Sequence, residues 1–131
     1  MKKLPVFIAS TIGILIAGAL LYRASVLGEM RSRLVGLKVM IERGCSYDSL
    51  FSTDIEIVTF YVNHKAVCDG SGQFSTRMKS LSEAINRVRR RENWIATHVS
   101  IGELTAFRGD KREEELMRGI WNACNEAIDS L

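Results

Sequence analysis

The chain begins with an uninterrupted apolar run and continues with segments in which apolar residues recur at helical spacing. Residues 4–22 contain no charged side chain and lie between Lys2, Lys3 and Arg23. A helix rises about 1.5 Å per residue, so this run would extend about 28 Å, close to the roughly 30 Å hydrocarbon thickness of a bilayer. The pattern predicts a transmembrane helix, and Pro5 is tolerated in its first turn.

The same run also has features of a cleaved export signal. Two lysines give a charged start, an apolar stretch follows, and Ala17 and Ala19 form a small-residue cleavage pattern. The apolar run nevertheless continues through Tyr22, which favours a retained anchor by length. We therefore expect residues 1–22 to be a membrane anchor, with cleavage after Ala19 as the alternative.

Small residues recur on one face of the predicted anchor. Ala9, Gly13 and Ala17 are four residues apart, a spacing that lets two helices approach closely in lipid. We predict that this face packs against a second helix in the bilayer. The alternative is that it reflects the ordinary alanine and glycine content of an apolar segment.

The sequence only weakly determines on which side of the membrane the rest of the chain lies. Two lysines precede the apolar run and four basic residues follow it within about 20 positions, a count that favours the cytoplasm. The short lysine-rich start resembles an export signal and favours the outside. We expect an extracytoplasmic domain, with a cytoplasmic one as the alternative.

A second apolar stripe follows the anchor directly. Its spacing of three and four residues predicts a helix that continues out of the membrane and ends at Gly44. We predict that the stripe packs on the chain's own later helices, the alternative being that it is an interaction surface for a second copy or another protein. Its members are Leu27, Met30, Leu34, Leu37 and Ile41.

Three further helices are predicted. A capping box at Thr53 and Glu56 favours a helix to about Cys68 over the strand that the β-branched residues there would also allow. The clearest pattern starts near Ser75, and a second capping box at Asp110 begins a last helix. Residues 45–49, 69–73 and 101–109 are predicted as turns or loops. The inward positions are Phe74, Met78, Leu81, Ile85, Val88, Ile95 and Val99, then Leu116, Ile120, Cys124, Ala127 and Leu131.

These segments predict a mainly α-helical protein, with a transmembrane helix in residues 1–22 and a bundle of three to four helices in residues 23–131. The chain has 47% hydrophobic and 25% charged residues, which excludes a mostly disordered protein. Its formal net charge of +3 is too small for a dedicated nucleic-acid binder.

Three cysteines and two histidines limit the candidate chemistry. Neither His64 nor His98 completes a zinc-binding spacing, so no metal or cofactor is predicted. Cys45 and Cys68 flank predicted turns and would form a disulfide if they met at one end of an antiparallel helix pair in an oxidising compartment. Cys124 would then be left over. The alternative is three small hydrophobic thiols.

One residue pair suggests an enzyme. His64 and Cys68 are four residues apart and would share a helix face, where an imidazole can activate a thiol. The sequence places no third group beside them, and the carboxylates show no paired pattern typical of a glycoside hydrolase. We predict no enzymatic activity, with a cysteine–histidine enzyme as a minor alternative.

The densest basic cluster lies within the strongest predicted helix. Its arginines surround Val88, which belongs to the apolar pattern, so they are expected to cover the outer face of that helix. We predict a solvated basic surface, with contact to lipid or protein as an alternative and nucleic acid least favoured. The cluster consists of Arg87, Arg89, Arg90 and Arg91.

The layout, an N-terminal segment of moderate hydrophobicity followed by a short helical domain, resembles that of the phage lysis regulators called antiholins. It is also similar to the layout of many small subunits of membrane complexes. We predict a non-enzymatic, single-pass membrane protein that binds a protein partner or a second copy of itself. The alternative is an exported helical regulator or inhibitor; no small-molecule substrate is indicated.

Overall fold

The computed structural model describes residues 4–98 and 111–131, and this part of the chain is mainly helical, as predicted. No strand occurs among the described residues. A short 3-10 turn at Asp69–Ser71 joins the third and fourth helices. The described residues form five α-helices, which are α1 (Leu4–Arg43), α2 (Tyr47–Asn63), α3 (Lys65–Cys68), α4 (Phe74–His98) and α5 (Lys111–Asp129).

The first helix, α1, has 40 residues and is about 60 Å long. It passes the predicted domain boundary at residue 22 without a break. Residues 8–25 are exposed throughout, whereas from Val26 onward one face of the helix enters the core. One helix therefore supplies both a projecting apolar segment and a wall of the bundle.

The end of α1 is where the sequence predicts it. Gly44 has a φ of 78°, in the left-handed region where the absence of a Cβ removes the steric penalty. Its N–H donates to the carbonyl oxygen of Ile41 at 3.2 Å. The chain reverses here and returns along α1.

The start of α2 differs from the prediction. Ser46 is the N-cap, and its hydroxyl accepts the backbone N–H of Ser49 at 3.2 Å. Thr53, predicted as the cap, lies inside the helix and its hydroxyl contacts the Met40 sulfur at 3.3 Å. The capping box at Thr53 and the long turn over residues 45–49 are therefore wrong, because a second capping residue seven positions earlier starts the helix.

The helix predicted to reach Cys68 does so with one interruption. At His64 the backbone leaves helical geometry, with φ −126° and ψ 24°. The N–H of His64 still donates to the carbonyl oxygens of Phe60 and Tyr61, each at 3.1 Å. The break separates α2 from α3, and the alternative of a strand is excluded for these residues.

The chain from α2 to the 3-10 turn runs antiparallel to α1 in a constant register. Three contacts define this register. Between any two of them, the number of residues along α1 equals the number of residues along the chain from α2 to the turn. The contacts are Met40 with Thr53 (3.3 Å), the Arg33 guanidinium with the Phe60 ring centre (4.8 Å), and Arg23 Nη2 with the Cβ position of Gly70 (3.4 Å).

The last helix, α5, is antiparallel to α1 on another side. Lys38 Nζ donates to Asn125 Oδ1 at 2.9 Å, and Trp121 Nε1–H donates to Glu42 Oε1 at 2.9 Å. The Lys38 ammonium also lies 4.4 Å from the Trp121 ring centre. By this register the C-terminus of the chain lies near the level of residue 32 of α1.

The core is formed by one face each of α1, α2, α4 and α5. The apolar pattern predicted for α4 is buried up to Ile95, while Val99, the loop over residues 101–109 and Asp110 lie outside the described residues. In α5 the predicted inward residues are buried, and Leu131 is half-buried against the core. The fully buried side chains of largest volume are Phe74, Met30, Leu34, Leu37, Leu50, Ile57, Leu81, Ile85 and Ile120.

The stripe from Leu27 to Ile41 is part of this core. Met30, Leu34 and Leu37 are fully buried, and Leu27 and Ile41 are partly buried. These side chains pack on the chain's own helices, so the alternative of an interaction surface along this stripe is not the arrangement in the structure. Periodicity shows that one face of a helix is covered but does not show by what, which is why the sequence left both arrangements open.

Candidate functional site

The first half of α1 carries an exposed apolar surface that no other described residue covers. The exposed fraction of its large apolar side chains ranges from 50% to 72%. They surround the helix, and an apolar surface of this kind is typical of contact with lipid or with another protein. α1 is long and apolar enough to cross a membrane. The side chains are Ile8, Ile12, Ile14, Leu15, Ile16, Leu20, Leu21 and Tyr22.

The predicted packing face lies within this exposed segment. Ala9, Gly13 and Ala17 are all exposed, and a Cβ added to Gly13 would meet no atom of the rest of the chain within 4 Å. The structure therefore leaves a second helix free to approach along this face.

The apolar segment ends where the bundle begins. Tyr22 is 56% exposed and is followed directly by Arg23, a pairing of aromatic and basic side chains that is typical of the membrane interface. The 3-10 turn reaches back to this level, since Gly70 is adjacent to the Arg23 guanidinium. Sequence reasoning missed this contact because nothing in the local pattern sets the register of α2 on α1.

The His64–Cys68 pair does not form an activated thiol. The His64 ring stacks on Phe60, with 4.3 Å between ring centres, and His64 Nδ1 lies 2.9 Å from the Phe60 carbonyl oxygen. Cys68 is buried, and burial raises the pKa of its thiol. A nucleophilic cysteine needs the opposite shift.

The predicted disulfide between Cys45 and Cys68 is absent, because all three cysteines are free thiols with none at disulfide distance from another. Cys45 precedes α2 and Cys68 is the last residue of α3, so the 17 residues of α2, which span about 25 Å, lie between them. A disulfide requires Cα atoms within about 7 Å. Cys124 is fully buried in α5, and burial raises the pKa of its thiol to about 12.

Alkylation of the folded protein at pH 8 is therefore expected to modify Cys45, which is partly exposed, much faster than Cys68 or Cys124. Peptide mass spectrometry after timed quenching measures the three rates, and denatured protein is the control in which all three thiols react. Modification of Cys68 at the rate of Cys45 in folded protein would contradict the structure.

Raising the pH from 9 toward 12 should destabilise the fold. The Cys124 thiol ionises in the unfolded chain at a lower pH than in the folded one, so a rising pH favours the unfolded chain over this range.

The four arginines predicted as a basic surface do not act alike in the structure. Arg89 points toward α2, with Nη2 3.8 Å from Asp54 Oδ2 and the guanidinium 4.6 Å from the centre of the Phe51 ring. Burial raises the pKa of the Asp54 carboxyl, and the charge of Arg89 opposes that shift. Arg87 and Arg90 are exposed, and Arg91 is half-buried. The exposed basic surface is thus smaller than predicted.

A cavity of about 340 Å³ lies at the end of the bundle farthest from the projecting segment. The pKa of Tyr47 there is raised to about 12, first by burial and then by the charge of Glu113 and a hydrogen bond to it. The acidic side chains that line the cavity come from α2, α4 and α5, so their spacing in the sequence could not reveal that they lie together. No group suited to a metal ion occurs among the described residues. The lining residues are Cys45, Ser46, Tyr47, Asp48, Glu92 and Glu113.

Comparisons of the chain with protein-family models, with curated proteins and with solved structures find no match. The function is therefore argued from the geometry of the chain itself. Its most distinctive feature is the projecting apolar half of α1.

Proposed function

We propose that the protein is a single-pass membrane protein, with the first half of α1 as the anchor and the bundle as a non-enzymatic interaction or regulatory domain. The observation that carries this proposal is the exposure of eight large apolar side chains around that segment. Burying one such side chain stabilises a protein by about 1.5–3 kcal/mol. Leaving all eight in water therefore loses burial free energy on the order of 10 kcal/mol. This loss approaches the whole stability of a small domain. A lipid environment removes it.

A retained anchor fits α1 better than a cleaved signal. Cleavage after Ala19 would leave Leu20, Leu21 and Tyr22 exposed at the new end of the helix. The exported, cleaved regulator is the alternative function. A purified chain that begins at residue 20 by mass spectrometry and is soluble without detergent would favour that alternative.

We propose an extracytoplasmic bundle, on the basis of the short lysine-rich start. Cys45 offers a direct test because it is partly exposed while the other two thiols are buried. A membrane-impermeant maleimide should label Cys45 in intact cells. Labelling only after lysis, with Cys45→Ser as the unlabelled control, would place the bundle in the cytoplasm.

The bundle retains few exposed large apolar residues for a protein partner now that the juxtamembrane stripe is assigned to the core. Ile55 and Val62 are 63% and 62% exposed and lie seven residues apart, on the outward face of α2. Val35 on α1 and Trp94 on α4 are also exposed. These residues, and not the stripe from Leu27 to Ile41, are where a partner of the bundle would bind.

Self-association within the bilayer is tested by Gly13→Leu. A leucine at this position keeps the helices apart, and we expect the dimer yield in lipid vesicles to fall about fivefold, equivalent to about 1 kcal/mol. Crosslinking at a series of protein-to-lipid ratios measures the change. Gly18→Leu is the matched control, since Gly18 is equally open but lies on another face of α1. Equal effects of the two substitutions, or none from either, would contradict the predicted packing face.

A further inference from the structure

We propose that the bundle rests on the lipid headgroup layer through α3 and the turn at residues 69–72, with Arg23 and Lys65 contacting lipid phosphates. This inference rests on the proposed membrane anchor and extends it to the orientation of the bundle. The anchor and the headgroup contact make separate predictions, so the contact can fail while the anchor holds.

The depth of the turn follows from the register of the helices. Tyr22 is the last residue of the apolar run, and Arg23 comes directly after it. Gly70 lies beside the Arg23 guanidinium, with its Cβ position 3.4 Å from Nη2. The headgroup layer is about 5–7 Å thick on each side of the bilayer, roughly one turn of α1. A turn at the level of Arg23 therefore lies within that layer.

The contact is confined to one side of α1. The antiparallel register of α5 puts the C-terminus near the level of residue 32, which is about 14 Å farther along α1 than Arg23. The end of α5 is therefore above the headgroup layer when the turn is inside it. The bundle would touch the membrane along α3, the turn and the start of α4, and not at the end of α5.

The surface at this level suits phosphate. Lys65, Ala66 and Gly70 are exposed. By the register of the second segment on α1, Lys65 and Ala66 lie at the levels of residues 28 and 27, about 6–8 Å farther along α1 than Arg23, at the outer edge of the headgroup layer and within reach of a lysine side chain. The Tyr61 hydroxyl donates to Asp69 Oδ1 at 2.6 Å, which holds that carboxylate against α2. Guanidinium and ammonium groups form charge-assisted hydrogen bonds with phosphate oxygens.

The test uses full-length Cys45→Ser protein, in which the two buried thiols remain, reconstituted into phosphatidylcholine vesicles. Nitroxide labels are placed at Ala66→Cys, at Ser52→Cys and at Ile14→Cys. Ser52 is exposed on α2, and its register puts it about 27 Å farther along α1 than Arg23. Power-saturation spectroscopy then measures the accessibility of each label to oxygen and to a water-soluble nickel complex.

We expect the oxygen-to-nickel accessibility ratio at Ala66→Cys to be several-fold higher than at Ser52→Cys and lower than at Ile14→Cys. Equal, water-like ratios at Ala66→Cys and Ser52→Cys, with Ile14→Cys in lipid, would overturn the headgroup contact and leave the anchor intact. A water-like ratio at Ile14→Cys would overturn the anchor itself.

A charge reversal tests the role of Lys65 separately. Lys65→Glu is expected to bring the ratio at Ala66→Cys down toward the value at Ser52→Cys, because the carboxylate is repelled by lipid phosphate. Lys111→Glu is the matched control, since Lys111 is an exposed lysine at the start of α5, at the end of the bundle farthest from the turn. An unchanged ratio in Lys65→Glu, or the same decrease in both variants, would overturn the assignment of Lys65 to the phosphate contact.

Discussion

Replacing both Ile14 and Leu15 with arginine is expected to release the protein from the membrane. The two side chains are 72% and 67% exposed and lie near the middle of the apolar segment. An arginine near the centre of a transmembrane helix costs about 2.5–3.5 kcal/mol for insertion, so the pair is expected to cost about 6 kcal/mol. Fractionation of cells after carbonate extraction measures the change: the wild-type chain stays in the pellet and the variant does not.

Two controls make this result specific. The double substitution of Ile14 and Leu15 by valine keeps the segment apolar and should leave the chain in the pellet. In detergent, the arginine variant should unfold at the wild-type temperature, because neither side chain belongs to the core. Wild-type protein in the soluble fraction, or arginine protein that stays in the carbonate-resistant pellet, would refute the anchor.

Leu34→Ala is expected to cause a large loss of stability. Leu34 has no exposed area and packs between helices of the bundle. Truncation of a buried leucine to alanine costs about 2–5 kcal/mol, from lost burial and the cavity left behind. A cost of about 3 kcal/mol would lower the Tm of a bundle of this size by roughly 12 °C or more. Circular dichroism of the protein in detergent during heating measures the shift.

The neighbouring Val35 is the matched control for Leu34. It is 42% exposed on another face of α1, so Val35→Ala should change the free energy of unfolding by less than about 1 kcal/mol. Equal Tm values for Leu34→Ala and wild type would show that this part of α1 is not in the core. The same comparison bears on binding experiments, because a Leu34 variant that loses a partner reports unfolding and does not identify an interface.

The elements predicted most accurately are those with a strong amphipathic pattern. In α4 and α5 the apolar positions alternate with many charged ones, so only one face of each helix can be buried. Gly44 was predictable for a different reason, since a glycine after a periodic segment readily adopts the left-handed conformation that ends a helix.

The start of α2 and the cysteine pairing were not predictable in the same way. Ser46 and Thr53 are both good capping residues, and local sequence does not rank them. The choice of Ser46 starts α2 directly after Cys45, so the whole of α2 separates Cys45 from Cys68 at the end of α3. The disulfide prediction was wrong for that reason, because it assumed that both cysteines lie at the same end of a helix pair.

The exposed apolar segment of α1 is determined by the sequence alone, since 19 consecutive uncharged residues admit few other environments. The sequence also determines which face of each later helix is apolar. Only the tertiary structure decided what covers the stripe from Leu27 to Ile41 and which turn lies beside Arg23. The physical reason is that periodicity depends on neighbours along the chain, whereas the register between α1 and α2 depends on side chains that pack from distant positions.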